Sequence, residues 1–449
     1  MTRLAYRFYR QLGWLRYWAS RRFTPAGILV LVVLVISGSI GVDMDQSVGF
    51  EVFVLAFCLL AVSIGASRFF RGRFAVERDL PRFVTAGQPL SYTIRIRNQT
   101  HKLFHGIEWL EEFSDARPTL EEFAAGMRSA RPGRSFRLRT AGTPLLDVRR
   151  ANAKLISLPA LPPGQEVAAR ADLLPLKRGP LRFTGVTVAR PDPFGLWRAF
   201  VRIPMPQSLL VLPKRYSVPA LTLAGTQRYQ QGGVALASAI GESDEFVSLR
   251  DYRPGDPMRH IHWRSWARAG RPIVREFQDE FFVRHALILD TFAGLEKAAA
   301  FEEAVSVAAS FACEIDTQES LLDLMFVGPR AVRFTTGRGL SHVEQALEIL
   351  ASVRACPEKP FHALRTLVMH HAGEVSGCIC VFLDWDEARR KFVRELRASG
   401  LPVLVLAVAD APLAEKLRIE VKADRQENFH VLEVGKLAED LAALGGMRL

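Results

Sequence analysis

The spacing of hydrophobic and polar positions changes along this 449-residue chain, and two long apolar runs come first, over residues 25–42 and 50–67. Each run approaches the ~20 residues that a helix needs to span a bilayer. Seven residues, Asp43 to Gly49, separate the runs and include two acids and no basic residue. We therefore predict a two-helix transmembrane hairpin within residues 25–74.

Residues 1–24, which precede the first run, combine aromatic side chains with six arginines. Arg3, Arg7 and Arg10 fall on one face of a helix, because positions three and four apart are neighbours there. Aromatic rings and arginines together are typical of helices that lie in the headgroup region of a membrane. We predict an interfacial helix here, with an ordinary soluble helix as the alternative.

Residues 75–215 show the two-residue alternation of half-buried strands, most clearly at residues 90–96 and 167–173. The apolar positions change parity at Gly185, which indicates a β-bulge or bend. Short strands separated by Pro and Gly predict an all-β antiparallel sandwich. Residues 111–146 are irregular and rich in arginine, so they are interpreted as a solvated loop or as a contact with lipid or another acidic surface.

After a polar, glycine-containing linker at residues 216–240, strands alternate with helices. The pattern predicts buried strands at residues 285–290, 321–327, 377–383 and 402–408, and helices near residues 295–315 and 341–354. This alternation implies a mostly parallel sheet that is covered on both faces. Residues 278–449 are therefore predicted to form an α/β domain.

The segment over residues 241–277 holds the densest cluster of acids, arginines, histidines and tryptophans in the chain. Arg253 to Asp256 has the sequence of a turn, with Pro and Gly at its centre. Asp256 is predicted to cap a helix over about residues 257–269 that ends at Gly270, before a strand from Pro272 to Phe277. The candidate interaction residues of this segment are Glu245, Arg250, Tyr252, Gly255, Asp256, Arg259, His262, Trp263 and Arg268.

Three arginines, Arg264, Arg268 and Arg271, form one stripe if that helix persists. Like charges at this spacing repel one another, so they favour acidic groups nearby. Acids of the same chain would make the segment a clasp between the sandwich and the α/β domain, whereas acids of another protein would make it a docking surface. Trp263 and Trp266 fit both interpretations, because tryptophan buries well against a domain and also anchors interfaces.

The net charge of +12 is concentrated near the apolar runs, since residues 1–78 hold ten arginines and four acids, a surplus of +6. The arginines crowd the outer flanks of the two runs, which places the amino terminus and the bulk of the chain in the cytoplasm. A cleaved signal peptide followed by one helix is the alternative and leads to the same compartment. No nucleic-acid-binding signature accompanies the charge. The five cysteines do not make a disulfide framework, and Cys378 and Cys380 are interpreted as buried strand residues.

The sequence EFVSLRDYRPGDPMRHIHWRSWAR, together with PDPFGLW at residues 191–197 and the predicted hairpin, resembles the domain-of-unknown-function 58 family of bacterial membrane proteins. The resemblance implies an amino-terminal hairpin, a β-sandwich and an α/β domain similar to the von Willebrand factor type A fold. It also implies association with a MoxR-type AAA+ ATPase. It implies no particular reaction.

Type A domains often hold Mg²⁺, and the resemblance places the matching acids at Asp290, Asp384 and Asp386. Acids at the carboxyl ends of parallel strands converge on one crevice, and carboxylate oxygens suit Mg²⁺. However, Phe292 and Gly294 replace the two serines of the usual motif. Asp384 also stands three residues before Glu387, as a helix-capping residue does. No cofactor is therefore expected, with a degenerate Mg²⁺ site as the alternative.

A Ser–His–Asp set can be drawn from Ser248 or Ser265, His260 or His262, and Asp256, but neither serine lies in a glycine-flanked nucleophile elbow. His260 and His262 also lack further zinc ligands at recognisable spacing. The chain is therefore not expected to be an enzyme. In the PDPFGLW sequence, Asp192, Pro193, Phe194 and Gly195 are predicted to form a turn that buries Phe194 and Trp197 between domains.

These patterns and the resemblance lead to one functional hypothesis. The chain is expected to be a two-helix protein of the bacterial inner membrane whose cytoplasmic part is an adaptor for a MoxR-type ATPase. The pair would act in the assembly or maturation of envelope or metabolic complexes. The alternative is a Mg²⁺-dependent enzyme or cation-regulated binder that uses Asp290, Asp384 and Asp386. The pathway and the oligomeric state do not follow from the sequence.

Overall fold

The computed structural model describes residues 2–40, 47–115, 117–120, 123–124, 150–219, 246–256, 258, 261–277, 283–314, 320–336, 340–424 and 428–444. The chain divides into two compact units, Met1–Lys214 and Arg215–Leu449. The first unit contains helices and mostly antiparallel strands, and the second contains a mixed sheet with covering helices.

Three helices open the first unit: α1 (Thr2–Arg22), α2 (Pro25–Ile40) and α3 (Ser47–Ser67). Helices α2 and α3 pack against each other, and Gly38 lies opposite the ring of Phe53. Among the described residues, Val48–Ser67 is the helix that is long and apolar enough to cross a membrane, while Pro25–Ser39 is apolar but shorter. The helical character of both predicted runs is therefore confirmed.

Among the described residues that follow, nine strands form two sheets, one in the order β1-β3-β7-β5 and one in the order β2-β9-β8-β4-β6. The strands are β1 (Phe74–Asp79), β2 (Phe83–Thr85), β3 (Leu90–Asn98), β4 (Glu108–Phe113), β5 (Ala151–Ala153), β6 (Ile156–Ser157), β7 (Glu166–Pro175), β8 (Gly179–Pro191) and β9 (Arg198–Leu212). One core holds buried side chains from both sheets, including Ile94 and Leu173 from the first and Trp109 and Val188 from the second. The alternating apolar positions of β3 and β7 thus face a shared interior, as a sandwich requires.

Two predictions for these sheets have different outcomes. The bulge at Gly185 is confirmed, because the pairing of β8 with β9 shifts register between Phe183 and Gly185. The expectation of a wholly antiparallel sandwich is wrong at one edge, where β2 pairs parallel with Leu210–Leu212 of β9. Strand β2 has only three residues, and so short an edge segment carries no alternation from which its direction could be inferred. Most of the predicted irregular segment 111–146 lies outside the described residues, although Glu111–Phe113 belong to β4.

The second unit contains a six-stranded sheet in the order β14-β13-β12-β15-β16-β17. Its strands are β12 (Val283–Leu289), β13 (Ser320–Val327), β14 (Ala331–Thr336), β15 (Gly377–Phe382), β16 (Val403–Ala409) and β17 (Phe429–Glu433). Edge strand β14 is antiparallel to β13, and the other neighbouring pairs are parallel. The strand order reverses between β12 and β15, so their carboxyl ends flank the crevice where open α/β sheets usually bind ligands.

Helices cover this sheet, and a short ribbon precedes it. The helices are α5 (Ala298–Glu314), α6 (Leu340–Ser352), α7 (His362–His371), α8 (Glu387–Ala398), α9 (Ala411–Asp424) and α10 (Leu437–Ala442). Cys378 and Cys380 lie in one buried cluster with Phe382 and Phe392, which confirms their prediction as core residues. The ribbon consists of β10 (Phe246–Asp251) paired antiparallel with β11 (Ile273–Phe277), and helix α4 (Trp263–Ala269) lies between these strands in sequence.

Candidate functional site

The ribbon and helix α4 form a small module that is built largely by backbone hydrogen bonds. The Tyr252 N–H donates to the Pro272 carbonyl over 3.0 Å, and the His262 N–H donates to the Ile273 carbonyl over 2.9 Å. Ile261 pairs with Val274 as an isolated β-bridge, and both side chains are buried. These bonds fix the two ends of residues 252–272, so the module presents its turn and helix at defined positions.

The predicted helix over 257–269 is too long at its start. Helix α4 begins at Trp263, because the bridge from Ile261 and the bond from His262 hold these residues in contact with β11. The predicted end is confirmed: Gly270 has a left-handed φ of 67° and its N–H donates to the Trp266 carbonyl. His262, rather than Asp256, therefore stands before the first turn of this helix.

Asp256 instead organises the turn that precedes the helix. Its carboxylate accepts two hydrogen bonds from the Arg250 guanidinium, at 2.7 and 2.8 Å, and one from the Arg253 N–H at 2.9 Å. Gly255 takes a φ of 108°, which a residue with a side chain rarely adopts. Hydrogen bonds from Arg250 and from the Arg253 backbone lower the pKa of Asp256 to about 2.

This low pKa predicts how the turn responds to acid. Because the folded-state pKa lies below the usual value of ~3.9, the contribution of Asp256 to stability is present above that value and is lost as the pH falls through about 2. Arg250→Ala should move the NMR titration midpoint of the Asp256 carboxyl carbon upward, toward the usual value. Arg253→Ala keeps the backbone N–H and removes only the weaker effect of the Arg253 charge, so it should raise the midpoint less than Arg250→Ala does. A midpoint near 4 in the unsubstituted protein would contradict the assigned bonds.

Helix α4 presents its aromatic and basic side chains to solvent, and none of its residues is buried. Trp263 is 64% exposed, and its ring stacks on that of Trp266 with centroids 5.2 Å apart. Met258, just before the helix, is 74% exposed. We call Met258, Trp263, Arg264, Trp266 and Arg268 the α4 surface. Ordered, exposed tryptophan next to arginine is the composition of interface anchors.

The arginines of the segment divide into paired and unpaired ones. Arg250 pairs with Asp256, and Arg271 lies 3.0 Å from Asp251 in a largely exposed pair. Arg264 and Arg268 are exposed, and the described part of the chain places no carboxylate within ion-pair distance of either. The helix ends at Ala269, so Arg271 does not extend the predicted stripe. Glu245 and Arg259 lie outside the described residues, and the clasp between sandwich and α/β domain stays a prediction.

The predicted catalytic set is only partly described. The Nδ1 atom of His262 lies 2.6 Å from the Ser265 hydroxyl within one turn of the chain. His260 and the side chain of Ser248 lie outside the described residues. Asp256 is engaged by Arg250, and the Arg253 N–H completes its hydrogen bonds. The described geometry therefore brings together a histidine and a serine but joins no carboxylate to them.

The first predicted magnesium ligand, Asp290, lies at the end of β12 and is completely buried. Its Oδ1 accepts the Phe292 N–H at 3.0 Å, and its Oδ2 accepts the Leu383 N–H at 3.2 Å. The Arg389 guanidinium donates to the same Oδ2, at 2.8 Å from Nε and 2.7 Å from Nη2. Arg389 also lies over the Phe361 ring, 4.7 Å from its centroid. The negative charge of Asp290 is thus neutralised by a buried cation of the chain itself.

The other two predicted ligands have basic partners too. The Asp386 carboxylate accepts a hydrogen bond from Arg389 Nη1 at 2.7 Å. It also accepts one from the Arg389 backbone N–H at 3.0 Å, and this second bond makes Asp386 the N-cap of α8. The prediction that Asp384 caps this helix is therefore wrong. Asp384 accepts a hydrogen bond from Lys297 Nζ at 2.6 Å. Burial acts to raise the pKa of Asp384, but with the bond from Lys297 the pKa is lowered overall.

The resemblance to type A domains implies Mg²⁺ at these acids, but the donor set does not fit the ion. A divalent cation needs several free oxygen ligands at short distance, whereas Arg389 and Lys297 occupy the carboxylates of Asp290, Asp384 and Asp386. Across the described ranges, no group of three His, Cys, Asp or Glu side chains is placed to hold a metal ion. Arg389 and Lys297 were not singled out in the sequence, because arginine and lysine are ordinary residues near any helix start.

The PDPFGLW sequence folds into a tight turn around the carboxylate of Asp192. Its Oδ1 accepts the N–H groups of Leu196 and Trp197, each at 2.7 Å, and its Oδ2 accepts that of Phe194 at 2.9 Å. Burial alone raises the pKa of Asp192, but these backbone donors lower it. Gly195 has a φ of 67°, consistent with the glycine at this turn position.

The same turn receives the start of α2. The Thr24 N–H donates to the Leu196 carbonyl at 3.1 Å, and the Thr24 hydroxyl donates to the Gly195 carbonyl and accepts the Gly27 N–H. Phe23 packs edge-on against Trp197, with centroids 4.7 Å apart. We call Phe23, Thr24 and Gly27, together with residues 192–197, the helix–sandwich joint.

The prediction for this turn is therefore half right. Trp197 is buried, but Phe194 is 53% exposed because the turn projects it away from the joint. The partner of Trp197 is the chain that leads into α2, not a distant domain. The spacing of PDPFGLW reveals a turn but not what packs on it, since Thr24 lies 171 residues before Gly195.

One buried cluster was missed entirely. Glu111 is almost completely buried in the sandwich and accepts hydrogen bonds from Arg78, Tyr92 and Trp109. Burial and the adjacent Glu111 raise the pKa of Tyr92. Residues 108–113 carry three acids, so their pattern does not distinguish a buried strand from a solvated loop. Arg78, Tyr92 and Trp109 each donate to Glu111 and none of the four is exposed, which identifies the cluster as part of the sandwich interior.

Comparison with known proteins gives a family match in the second unit. Residues 248–417 match the model of a family described as "Protein of unknown function DUF58". These residues match the DUF58 family. The DUF58 segment contains most of the ribbon, the α4 surface and Asp290, Asp384 and Asp386.

A curated protein is also similar to this chain. The chain is 28% identical over 275 residues to "Uncharacterized protein YeaD" of Bacillus subtilis (strain 168), a match that covers 60% of this chain and 66% of the relative. Among solved structures, the chain is similar to the CARDB domain of a Pyrococcus furiosus protein, with 14% identity and a TM-score of 0.18. The match covers 32% of this chain and 91% of that one. A PapD-like domain of human CEP192 matches at 13% identity, 31% of this chain, 84% of that chain and a TM-score of 0.16.

Proposed function

We propose that the chain is a membrane-anchored, non-enzymatic adaptor whose α4 surface docks an acidic face of a MoxR-type AAA+ ATPase. The observation that carries this proposal is the stack of the exposed Trp263 on the partly exposed Trp266, beside Arg264 and Arg268, which have no carboxylate partner among the described residues. Exposed aromatic area favours burial in a partner, and the two exposed guanidinium groups favour carboxylates opposite them. The ATPase and the adaptor would act together in the assembly or maturation of envelope or metabolic complexes.

The anchor in this proposal is the helix pair α2 and α3, as a two-span hairpin of the bacterial inner membrane. The support is the apolar character of both helices and the arginines on their outer flanks, which favour a cytoplasmic amino terminus and cytoplasmic bulk. The larger unit is proposed to be a type A-like domain, which its parallel sheet with one antiparallel edge strand supports. Neutralisation of Asp290, Asp384 and Asp386 by basic side chains favours the adaptor over a Mg²⁺-dependent enzyme.

Binding of the full chain, held in lipid nanodiscs, to the cognate MoxR-type ATPase tests the proposal. We expect Trp263→Ala to weaken binding by about 30-fold, the effect of a central tryptophan anchor. Arg264→Glu and Arg268→Glu should each weaken it by about tenfold or more, because like charges then face each other. Added salt should weaken binding of the unsubstituted chain as well.

Two exposed residues outside the segment are matched controls. Ile419→Ala removes an apolar side chain that is 66% exposed, close to the 64% of Trp263. Arg394→Glu reverses an exposed charge on α8. Both variants should bind as the unsubstituted chain does. Equal binding by Trp263→Ala, or no binding of the ATPase with any nucleotide, would contradict the proposed docking surface.

A further inference from the structure

Helix α1 has an exposed apolar face that indicates how the helix lies in the membrane. Leu4, Phe8, Leu12 and Leu15 are each at least half exposed, with exposures of 70, 65, 50 and 52%. Their spacing of four, four and three residues places them on one stripe, since an α-helix turns about 100° per residue. A continuous exposed apolar stripe on a stable helix requires a covering surface.

The opposite face of α1 is already occupied by its own unit. The Tyr6 hydroxyl donates to the Pro118 carbonyl at 3.1 Å, and the rings of Tyr6 and Tyr9 pack on Phe123. Gly13 lies next to the Arg117 side chain. The first two-thirds of α1 therefore have one face turned toward this unit, and the leucine stripe faces away from it.

At its carboxyl end the stripe runs onto the apolar helices. Ala19 lies four residues after Leu15, and it packs with Trp18 against a cluster that contains Leu60 of α3 and Leu31 of α2. The exposed stripe is thus continuous with the apolar surface that would enter the bilayer. A protein partner would have to cover both surfaces at once, whereas a bilayer does so without further assumptions.

The arginines on a third face of α1 indicate the charge of the lipid headgroups that it would contact. Arg3, Arg7 and Arg10 are exposed at a spacing of four and three residues, on the flank of α1 between the apolar stripe and the face of Tyr6 and Tyr9. Against the effect of burial, Arg10 also helps to lower the pKa of Asp115 in the same unit. Helix α1 contains no acidic residue and six arginines. Arginines at the level of the headgroups attract anionic phospholipids.

We propose that α1 lies in the plane of the membrane as an anionic-lipid binding helix. Leu4, Phe8, Leu12 and Leu15 face the acyl chains, and Arg3, Arg7 and Arg10 contact headgroup phosphates. The face of α1 that carries Tyr6 and Tyr9 contacts Pro118 and Phe123 of the same unit. This inference rests on the membrane anchoring in the proposed function and adds the lipid class, the contact residues and the orientation of the helix.

Photocrosslinking of the full chain in vesicles tests the proposal. Vesicles contain phosphatidylcholine alone or an equal mixture with phosphatidylglycerol, and p-benzoylphenylalanine replaces Phe8 in one protein and Tyr9 in another. The Phe8 probe should form lipid adducts in which phosphatidylglycerol exceeds its share of the mixture. The Tyr9 probe, one residue away, should instead crosslink within the chain to residues 117–124.

Neutral substitution separates the two parts of the contact. With Arg3→Gln, Arg7→Gln and Arg10→Gln together, the Phe8 probe should still form lipid adducts but should lose its preference for phosphatidylglycerol. Each arginine near an anionic surface changes partition by roughly fivefold, so the loss is measurable. An unchanged preference would overturn the assignment of the arginines.

Two further outcomes overturn the whole inference. Either adducts of the Phe8 probe with protein, or an absence of lipid adducts, would show that the stripe does not face the bilayer. Carbonate extraction of the same vesicles keeps this result apart from the proposed anchor. If the chain resists extraction while the Phe8 probe forms no lipid adducts, only the proposed placement of α1 in the membrane is wrong. If the chain is extracted, the proposed anchor and this inference are both wrong.

Discussion

Arg389→Met is expected to destabilise the carboxyl-terminal unit by about 3–5 kcal/mol, the usual cost of removing one partner of a buried ion pair. The carboxylate of Asp290 is completely buried, and Arg389 is its cationic partner at 2.7 Å. Methionine fills much of the same volume, so the loss would come mainly from the unpaired charge. Asp386 would also lose a partner, but its side chain is half exposed and water can replace the bond.

The neighbouring Arg390 provides a matched control on the same helix. Arg390 pairs with Glu420 at 2.8 Å, and both side chains are about one-third exposed. Arg390→Met should therefore cost at most about 1 kcal/mol, as exposed pairs do. Hydrogen exchange of peptides from β12, β15 and α8, measured on the full chain, reports the stability of this unit separately from the sandwich. Equal protection in the two variants would contradict the proposed role of Arg389.

A double substitution identifies the charge as the cause. Asp290→Asn combined with Arg389→Met removes the buried carboxylate, and it should recover a large part of the stability lost in the single variant. Magnesium gives a second measurement. Millimolar Mg²⁺ should leave the protection of the unsubstituted unit unchanged, because Arg389 and Lys297 occupy the carboxylates; a clear increase would revive the metal-dependent alternative.

The sequence predicted the elements well where hydrophobic periodicity alone determines them. The strict alternation at residues 90–96 corresponds to β3, and the buried runs near residues 377–383 and 402–408 correspond to β15 and β16. A strand with one apolar face must place that face in a core, so the pattern and the structure express the same requirement. Edge strand β14 was missed because its residues are only half-buried and do not alternate cleanly.

The contacts that organise the candidate sites could not be predicted in the same way, since they join distant parts of the chain. Asp290 and Arg389 are 99 residues apart, and nothing in either local sequence specifies the other as a partner. Asp256 shows a different limit, because an aspartate before a proline suits both a helix cap and a turn. The outcome depends on Arg250, whose guanidinium binds Asp256 in the turn after β10, and on the bridge between Ile261 and Val274.

The predicted burial of Phe194 was wrong for a related reason. Phe194 and Trp197 belong to one turn, and composition assigns both to the interior. In the structure Asp192 fixes the backbone so that Trp197 meets Phe23 while Phe194 points outward. The direction of a side chain in a tight turn depends on local φ and ψ, which apolar periodicity does not describe.

Gly27→Ala is expected to open the helix–sandwich joint, with a cost near the upper end of about 1–3 kcal/mol for overpacking. A β-carbon on Gly27 would lie 2.0 Å from the Leu196 carbonyl oxygen, which is backbone and cannot rotate away. The first turn of α2 would have to move from the 192–197 turn, and the bonds from Thr24 to Gly195 and Leu196 would break with it.

Gly65→Ala in α3 is the matched control, because a β-carbon there meets nothing within 4 Å. Alanine also favours a helix over glycine by up to ~1 kcal/mol, so this variant should be neutral or slightly more stable. Trypsin reports the state of the joint directly. The Arg22 side chain donates to the Arg198 carbonyl, and the Phe23 carbonyl accepts a hydrogen bond from the Arg198 side chain. The peptide bond after Arg22 is therefore protected from trypsin when the joint is intact.

Cleavage after Arg22 in nanodisc-embedded protein should therefore be faster in Gly27→Ala than in the unsubstituted chain or in Gly65→Ala. The same experiment separates a local opening from general unfolding, because bonds within the sandwich core should stay resistant in all three proteins. Equal cleavage rates in Gly27→Ala and Gly65→Ala would mean that α2 does not need the close approach at Leu196. Thr24 and Asp192 would then fix the turn without holding the start of the apolar helix against the sandwich.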